Sequence, residues 1–221
     1  MGTDGRDRPK LTAKGARTRA RIVDAAARLI HERGVASTTL DDVRAAAEVS
    51  GSQLYHYFAD KDELVQAVID HQADTILGNQ RQADLGSIEG LTGWRDMVIT
   101  QAKSTEARGG CPLGSLGGQL AEADPEARAL IAAGFDQWSA TIGDGLRTLH
   151  TAGHLASEID PDDLAVTLLA VLQGGLLLAQ IHRDPRALET ALDTLIALAS
   201  SGPAAAPRGR NPARTEPSTP H

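Results

Sequence analysis

A chain of 221 residues with 41% apolar residues and a net charge of −7 can bury a core in one or two small domains. Aromatic residues make up only 3%, and a composition led by Ala, Leu and Gly suits packed helices and fits a large sheet poorly. The single cysteine, Cys111, excludes an internal disulfide framework and fits a reducing compartment.

An acidic balance argues at first against a nucleic-acid partner, but the charge is unevenly spread. Residues 1–21 hold seven Lys or Arg against two Asp, whereas residues 61–200 hold nine Lys or Arg against twenty Asp or Glu. A basic head on an acidic body can meet a polyanion in one orientation only. The longest apolar stretch, 164–181, is interrupted by Thr167, Gln173, Gly174, Gly175 and Gln180 and reads as a body helix, with no membrane partner. The N-terminus has no apolar core of a signal peptide, so the expected location is cytoplasmic.

Residues 1–13 are polar and charged and read either as a flexible basic arm or as a solvated tail. A first helix is expected over 14–33, where Ile22, Ala26, Leu29 and Ile30 form one apolar stripe and Gly34 is a natural end. The hydroxyls of Ser37, Thr38 and Thr39 precede a second helix from Leu40, with Asp41 and Asp42 in the first turn where the helix dipole favours them. After Glu48 and Val49, Ser50 caps a third helix. Its Leu54 and Phe58 face inward at i, i+4 spacing, and Ser52, Gln53, Tyr55 and His56 form a polar outer side. Two short helices across a tight turn, residues 38–58, are the sequence form of a helix-turn-helix, and that outer side suits the DNA major groove.

Asp60 caps a fourth helix from Lys61, which fades near Gly86 and is long enough to join head to body. Five more helices are expected over 88–107, 113–123, 125–152, 161–182 and 185–200. Asp124-Pro125, Asp160-Pro161 and Asp184-Pro185 open the last three. Residues 201–221, rich in Pro, Ala and Arg, have too little apolar content to fold and are expected to be disordered. The chain is therefore read as all-α with about nine helices. The expected domains are a three-helix helix-turn-helix domain over 14–60 and a helical dimerisation domain over 61–200. The last two helices are apolar around most of their girth, and such helices must be covered on several sides. Either a second copy covers them, making a four-helix dimer interface with Leu168, Leu172, Leu176, Leu192 and Leu195, or one of them is the central helix of a monomer.

Thr38 to Val43, Val49-Ser50, Leu54 to Phe58 and Asp60 to Leu64 together resemble the DNA-binding domain of TetR-type repressors over about residues 14–64. Gly110 to Leu116, with Gln173-Gly174-Gly175, resembles the C-terminal domain of the LmrA/YxaF-like branch. The resemblance implies an all-helical homodimer that binds a double-stranded DNA operator and whose body takes a small-molecule effector. It places a phosphate-binding hydroxyl at Thr38 or Thr39 and the recognition face at Ser50, Ser52, Gln53, Tyr55 and His56. Tyr55 resembles the tyrosine that bonds phosphate, and the amide and ammonium of Lys61 resemble a phosphate clamp at a helix start. Gln53 is the candidate for reading adenine. Arg17, in the basic stretch, is a further DNA-binding candidate. Two positions depart from the pattern. Glu48 stands where the turn usually has Gly, strained by about 1–2 kcal/mol if its backbone is left-handed. Gly51 stands where many members have Lys, so one contact is missing and Arg44 is the residue to compensate.

Trp94, Met97, Gln101, Cys111, Leu116, Phe135, Trp138, Ile142 and Gln173 read as an effector pocket or as plain core, and the tryptophans and Phe135 suit a lipophilic or aromatic ligand. Cys111 is either a sensor thiol or a small buried residue. His150 and His154 are four apart, but Gly153 separates them and no third ligand is near, so no metal is expected. No catalytic triad, phosphate-binding loop or dinucleotide fingerprint is present, so neither an enzyme nor a cofactor is expected. The rival to an effector-controlled repressor is an architectural or constitutive DNA-binding regulator.

Overall fold

The computed structural model describes residues 11–81 and 83–200; most of the expected basic arm and the whole C-terminal tail lie outside the described residues. Within the described residues the chain is helical throughout: α1 (Ala13–Arg33), α2 (Leu40–Ala46), α3 (Gly51–Tyr57), α4 (Lys61–Gln80), α5 (Ile88–Ser104), α6 (Pro112–Leu120), α7 (Pro125–Thr151), α8 (Pro161–His182) and α9 (Arg186–Ser200).

Local chemistry sets most of the ends. Thr39 with Asp42 and Ser50 with Gln53 form reciprocal capping boxes at the starts of α2 and α3. Asp60 accepts from the Glu63 amide at 2.9 Å, and Glu63 accepts from the amide of Ala59, one residue before the cap, at 2.6 Å, so α4 has a related two-bond start with an acid in place of a hydroxyl. Asp124 and Asp160 each accept from two amides ahead of a proline in the first turn of α7 and α8. Gly34 closes α1 with φ 85°, a conformation that disfavours a side chain.

Three ends differ from expectation. Helix α4 stops at Gln80 rather than near Gly86; the Gln80 side chain is buried and accepts from Trp94 Nε1 at 2.7 Å. Helix α5 stops at Ser104, because Glu106, Ala107, Gly109 and Gly110 all take positive φ and turn the chain back. Helix α6 is shorter than expected at its far end, stopping at Leu120.

The core is continuous from head to body. Ile22, Ala26, Leu29 and Ile30 of α1 join Val43, Leu54, Phe58, Leu64 and Val68 in one buried cluster that runs on into α5 to α9. Helix α4 packs on α1, α6 and α7; α7 packs on α8; α9 packs on α8 and α5. At the crossing of α8 and α9, a Cβ on Gly175 would lie 2.6 Å from Leu188 Cδ1 and 3.0 Å from its Cα, so only glycine permits that approach. Its neighbour Gly174 has nothing within 4 Å on that side.

The proposed interface leucines are corrected. Leu168, Leu172 and Leu192 are 1%, 2% and 0% exposed inside a single subunit, so they cannot form a face toward a second one. Leu176 and Leu195 are half-buried at the core's edge. A helix apolar on nearly every side gives no local sign of which stripe turns inward. The apolar side chains left outside are Val166, Leu177, Leu178 and Ile181 on α8 and Leu198 on α9. The membrane reading also changes. By length and composition alone α8, at 22 residues, is apolar enough to cross a membrane, because its few polar interruptions barely lower its hydropathy. Here it packs between α7 and α9, and Asp162 in its first turn pairs with Arg147 of α7.

Two substitutions separate the buried stripe from the exposed one. Leu168→Ala is expected to lower stability by about 2–5 kcal/mol in denaturant unfolding. Val166→Ala, at a side chain 60% exposed within one subunit, is expected to change the stability of the isolated subunit by less than about 1 kcal/mol.

Candidate nucleic-acid interface and effector cavity

The polar side of α3 is presented as a rigid unit. Leu54 and Phe58 are fully buried, which points Ser52, Gln53, Tyr55 and His56 outward; Tyr55 is 61% exposed. The His56 ring stands edge-on to Tyr57, with centroids 5.0 Å apart. Tyr57 is half-buried and lies beside Gly15 of α1, and Arg19 of α1 sits 5.1 Å over the Phe58 ring. Arg17 is exposed on α1.

Several candidate contacts are already engaged. Gln53 Oε1 accepts from the Ser50 amide at 2.9 Å, so its NH2 group keeps its donors while its acceptor belongs to the cap. Two-point reading of adenine, which uses both ends of the amide, therefore requires the cap to open. Ser50 Oγ accepts from the Gln53 amide and lies 3.0 Å from Ser52 Oγ. Arg44 Nε donates to Asp41 Oδ1 at 3.1 Å, so its charge is partly neutralised. Thr39 is exposed, and its hydroxyl and amide both donate to Asp42; these bonds hold the Asp42 carboxyl below the usual range.

Two positions are corrected. Thr38 is buried, and its hydroxyl donates to the Gly34 carbonyl at 2.9 Å, which leaves Thr39 as the hydroxyl on the surface. The Lys61 ammonium does not stand out from α4; it donates to the Val35 carbonyl at 2.6 Å. The Val35 amide in turn donates to Gln119 Oε1 of α6 at 2.7 Å. Glu48 has φ 52°, the left-handed backbone that makes a non-glycine residue costly in this turn. At Gly51 an added Cβ would meet nothing nearer than Arg44 Cδ at 3.9 Å, so a lysine fits there.

A cavity of about 430 Å³, partly open to solvent, lies between α4, α5, α7 and α8 and is bordered by residues 105–112. Met97, Gln101, Cys111 and Trp138 line it, as does a residue of the head, His31. Phe135 and Gln173 line a separate groove of about 600 Å³ that also touches Cys111. The Phe135 and Trp138 rings are parallel, 6.3 Å apart. Trp94, Leu116 and Ile142 line neither space and are core residues. Two of the supposed interface leucines, Leu172 and Leu176, line the cavity instead.

Sequence reasoning missed the α4 side of this cavity. Gln72, Thr75, Ile76, Asn79 and Gln80 recur at i, i+3, i+4, i+7, i+8, a mostly polar helical face that borders the cavity, with Gln80 buried and Thr75 and Asn79 exposed. That spacing was the available signal. The segment Gly110 to Leu116, which includes the start of α6, meets α8 where a Cβ on Gly114 would lie 2.7 Å from Gln173 Oε1, so the two segments singled out in the body are neighbours. Burial pushes the Cys111 thiol pKa up, against the opposing hydrogen bonds from Gly114 and Gln173. Among the described residues no cluster of His, Cys, Asp or Glu could hold a metal ion. A further concavity, about 740 Å³, is an open surface groove along α8 and α9 lined by residues such as Val171, Ala191, Leu195 and Leu198.

Comparison with known proteins gives a consistent picture. Residues 22–68 match the model of bacterial regulatory proteins of the tetR family, and residues 88–195 match a tetracyclin repressor-like C-terminal domain. An HTH-type transcriptional regulator of Mycobacterium tuberculosis is 31% identical over 175 residues, covering 75% of this chain and 86% of the relative. A solved TetR transcriptional regulator from Chloroflexus aurantiacus is 27% identical with a TM-score of 0.72, covering 84% of this chain and 96% of that one. A solved TetR regulatory protein from Rhodobacter sphaeroides has a TM-score of 0.75 at 23% identity, covering 82% and 98%, a likeness of fold.

Glu48→Gly is expected to raise stability by about 1 kcal/mol in denaturant unfolding by relieving the left-handed backbone. In the native protein Cys111 is expected to react with a disulfide reagent at neutral pH far more slowly than in the unfolded chain, because the buried group is held as the thiol. Equal rates in the two states would contradict that placement.

Proposed function

The chain belongs to the TetR family of bacterial transcriptional regulators, and from that premise we propose that it is a repressor, active in the cytoplasm, that binds an inverted-repeat operator as a homodimer. A small molecule in the cavity between α4, α5, α7 and α8 releases it. The observation that carries this reading is the path of α4. It starts at Lys61, tied to the end of α1, and passes its polar face from Gln72 to Gln80 along the cavity. One rigid helix thus borders both the DNA-binding head and the ligand space.

Each subunit lays α3 in the major groove of one half-site, with the half-sites about one helical turn, roughly 34–36 Å, apart. Tyr55 hydrogen-bonds phosphate, while Gln53 and His56 face base edges. Arg17, Thr39, Arg44 and the backbone amide of Lys61 meet the phosphates. The subunits join through the exposed apolar stripe Val166, Leu177, Leu178, Ile181 and Leu198, and the open side of Gly174 lets a partner helix come close. The effector binds better to a conformation that holds the two heads too far apart, and the switch is limited by that difference in affinity. A constitutive regulator without an effector accounts less well for the cavity, which is partly polar and reaches from the body to His31 of the head.

Selection of bound DNA from a random pool is expected to return an inverted repeat. On that site Tyr55→Phe should weaken binding about fivefold on every sequence, whereas Gln53→Ala should flatten the preference at one base position. Gly51→Lys should tighten binding and steepen the salt dependence by about one unit of log K against log salt. Ile181→Asp should yield monomers in sedimentation and lose operator binding. A pool that returns no enriched sequence would contradict the regulator reading.

A further inference from the structure

We propose that the cavity selects a ligand carrying a hydrogen-bond acceptor, a carbonyl or a carboxylate, that it excludes amines, and that the Trp138 indole N–H reads the acceptor. The proposal rests on the reading of this cavity as the effector site and names the chemistry that the site takes.

The first support is charge. The body over 61–200 holds twenty Asp or Glu, yet none of them lines the cavity. The charged or titratable nitrogen bases in its wall are Arg108 and His31. Arg108 is paired with Glu106 at 3.0 Å, and both side chains are mostly exposed, at the outer end of the turn. A cationic ligand entering this space would lose its water with no carboxylate in the wall to answer it, a large cost. A neutral ligand meets no such penalty, and an anion, which also loses its water, has donors in the wall to answer it, the Trp138 N–H and the Arg108 guanidinium.

The second support is a contrast between the two indoles. An indole N–H can only donate. Trp94 is buried and satisfied, donating to Gln80 Oε1 at 2.7 Å. Trp138 is only 4% exposed and belongs to the cavity wall, yet its Nε1 has no partner among the described residues. A buried donor left unpaired costs free energy; in the ligand-free chain the N–H is sealed within the wall, and a ligand oxygen recovers that cost once the indole turns its N–H into the cavity. His31 Nδ1, also in the wall, is likewise buried without a partner. Because His31 belongs to α1, an acceptor-bearing ligand that also reaches this ring touches the DNA-binding domain directly. The volume of about 430 Å³ equals that of about fourteen waters, so the ligand has on the order of ten non-hydrogen atoms.

The test uses the full chain without DNA and four probes of equal heavy-atom count: acetophenone, benzoate, 1-phenylethylamine and isopropylbenzene. Equilibrium dialysis should rank acetophenone or benzoate about tenfold tighter than isopropylbenzene and the amine. The order of acetophenone and benzoate tells whether the acceptor is neutral or anionic. Trp138→Phe keeps a ring against Phe135 and removes the N–H. It should bring the favoured acceptor probe to within about threefold of isopropylbenzene, whose own affinity stays unchanged. The proposal is overturned if the amine binds as tightly as the acceptor probes, if no probe is preferred, or if Trp138→Phe leaves the preference intact. The wild-type ranking decides by itself should that variant not fold. Operator binding by the ligand-free protein is measured separately, so failure of the ligand class is distinguishable from failure of the regulator reading.

Discussion

Both peptide groups of Val35 are held from outside α1, and the placement of the head depends on it. The carbonyl accepts from Lys61 Nζ at the start of α4, and the amide donates to Gln119 Oε1 near the end of α6. The Thr38 amide adds a longer bond to the same carbonyl, and the Thr38 hydroxyl bonds the carbonyl of Gly34. Three helices from two parts of the chain therefore meet at one turn. A hydrogen bond from an ammonium to a partly buried carbonyl is worth about 1.5–3 kcal/mol, enough to fix the geometry of a short segment. Helix α6 starts at Pro112, in the cavity wall, and carries Gln119 at its other end. In the proposed switch, a shift at the cavity end of so short a rod would reach Val35.

That clamp changes how the DNA-facing side works electrostatically. The ammonium that family likeness assigned to phosphate is occupied at home. Asp41, Asp42 and Glu48 surround the start of α2 and the turn, and Arg44 leans on Asp41. Gly51 contributes no charge. In the proposed complex, attraction to phosphate would therefore fall on α1, with Lys14, Arg17 and Arg21, and on whatever the residues ahead of it supply. Its specific geometry would rest on the exposed phenol of Tyr55 and on α3, which has a capping box and two buried anchors, Leu54 and Phe58. An overall acidic chain can act on DNA in this way because its positive charge is concentrated in the same helix whose far end is clamped.

Much of the fold was legible because helix ends are local. Thr39 with Asp42, Ser50 with Gln53, Asp124-Pro125 and Asp160-Pro161 announce their helices within four residues, and the structure uses each as a cap. Glu48 was readable as a strained position because a left-handed turn demands glycine. What escaped depends on contacts far apart in sequence. Val35 and Gln119 are 84 residues apart and Lys61 and Val35 are 26 apart, so no spacing rule could reserve the lysine for a carbonyl. The burial of Thr38 beside the exposed Thr39 follows from the Gly34 turn, which composition does not encode. Leu168, Leu172 and Leu192 were misplaced because α8 and α9 are rich in leucine on several sides, and only packing decides which stripe is inside.

Whether Lys61 is a clamp or a phosphate contact is the sharpest question left by this arrangement, and Lys61→Met answers it, since methionine keeps the length of the stem and removes the ammonium. The measurement is operator affinity as a function of salt, with the unfolding midpoint recorded alongside. The expected result is a lower midpoint and weaker binding with the slope of log K against log salt unchanged, because the lost interaction lies inside the protein. A slope shallower by about one unit with the midpoint intact would show that the charge serves DNA and would contradict the clamp at Val35.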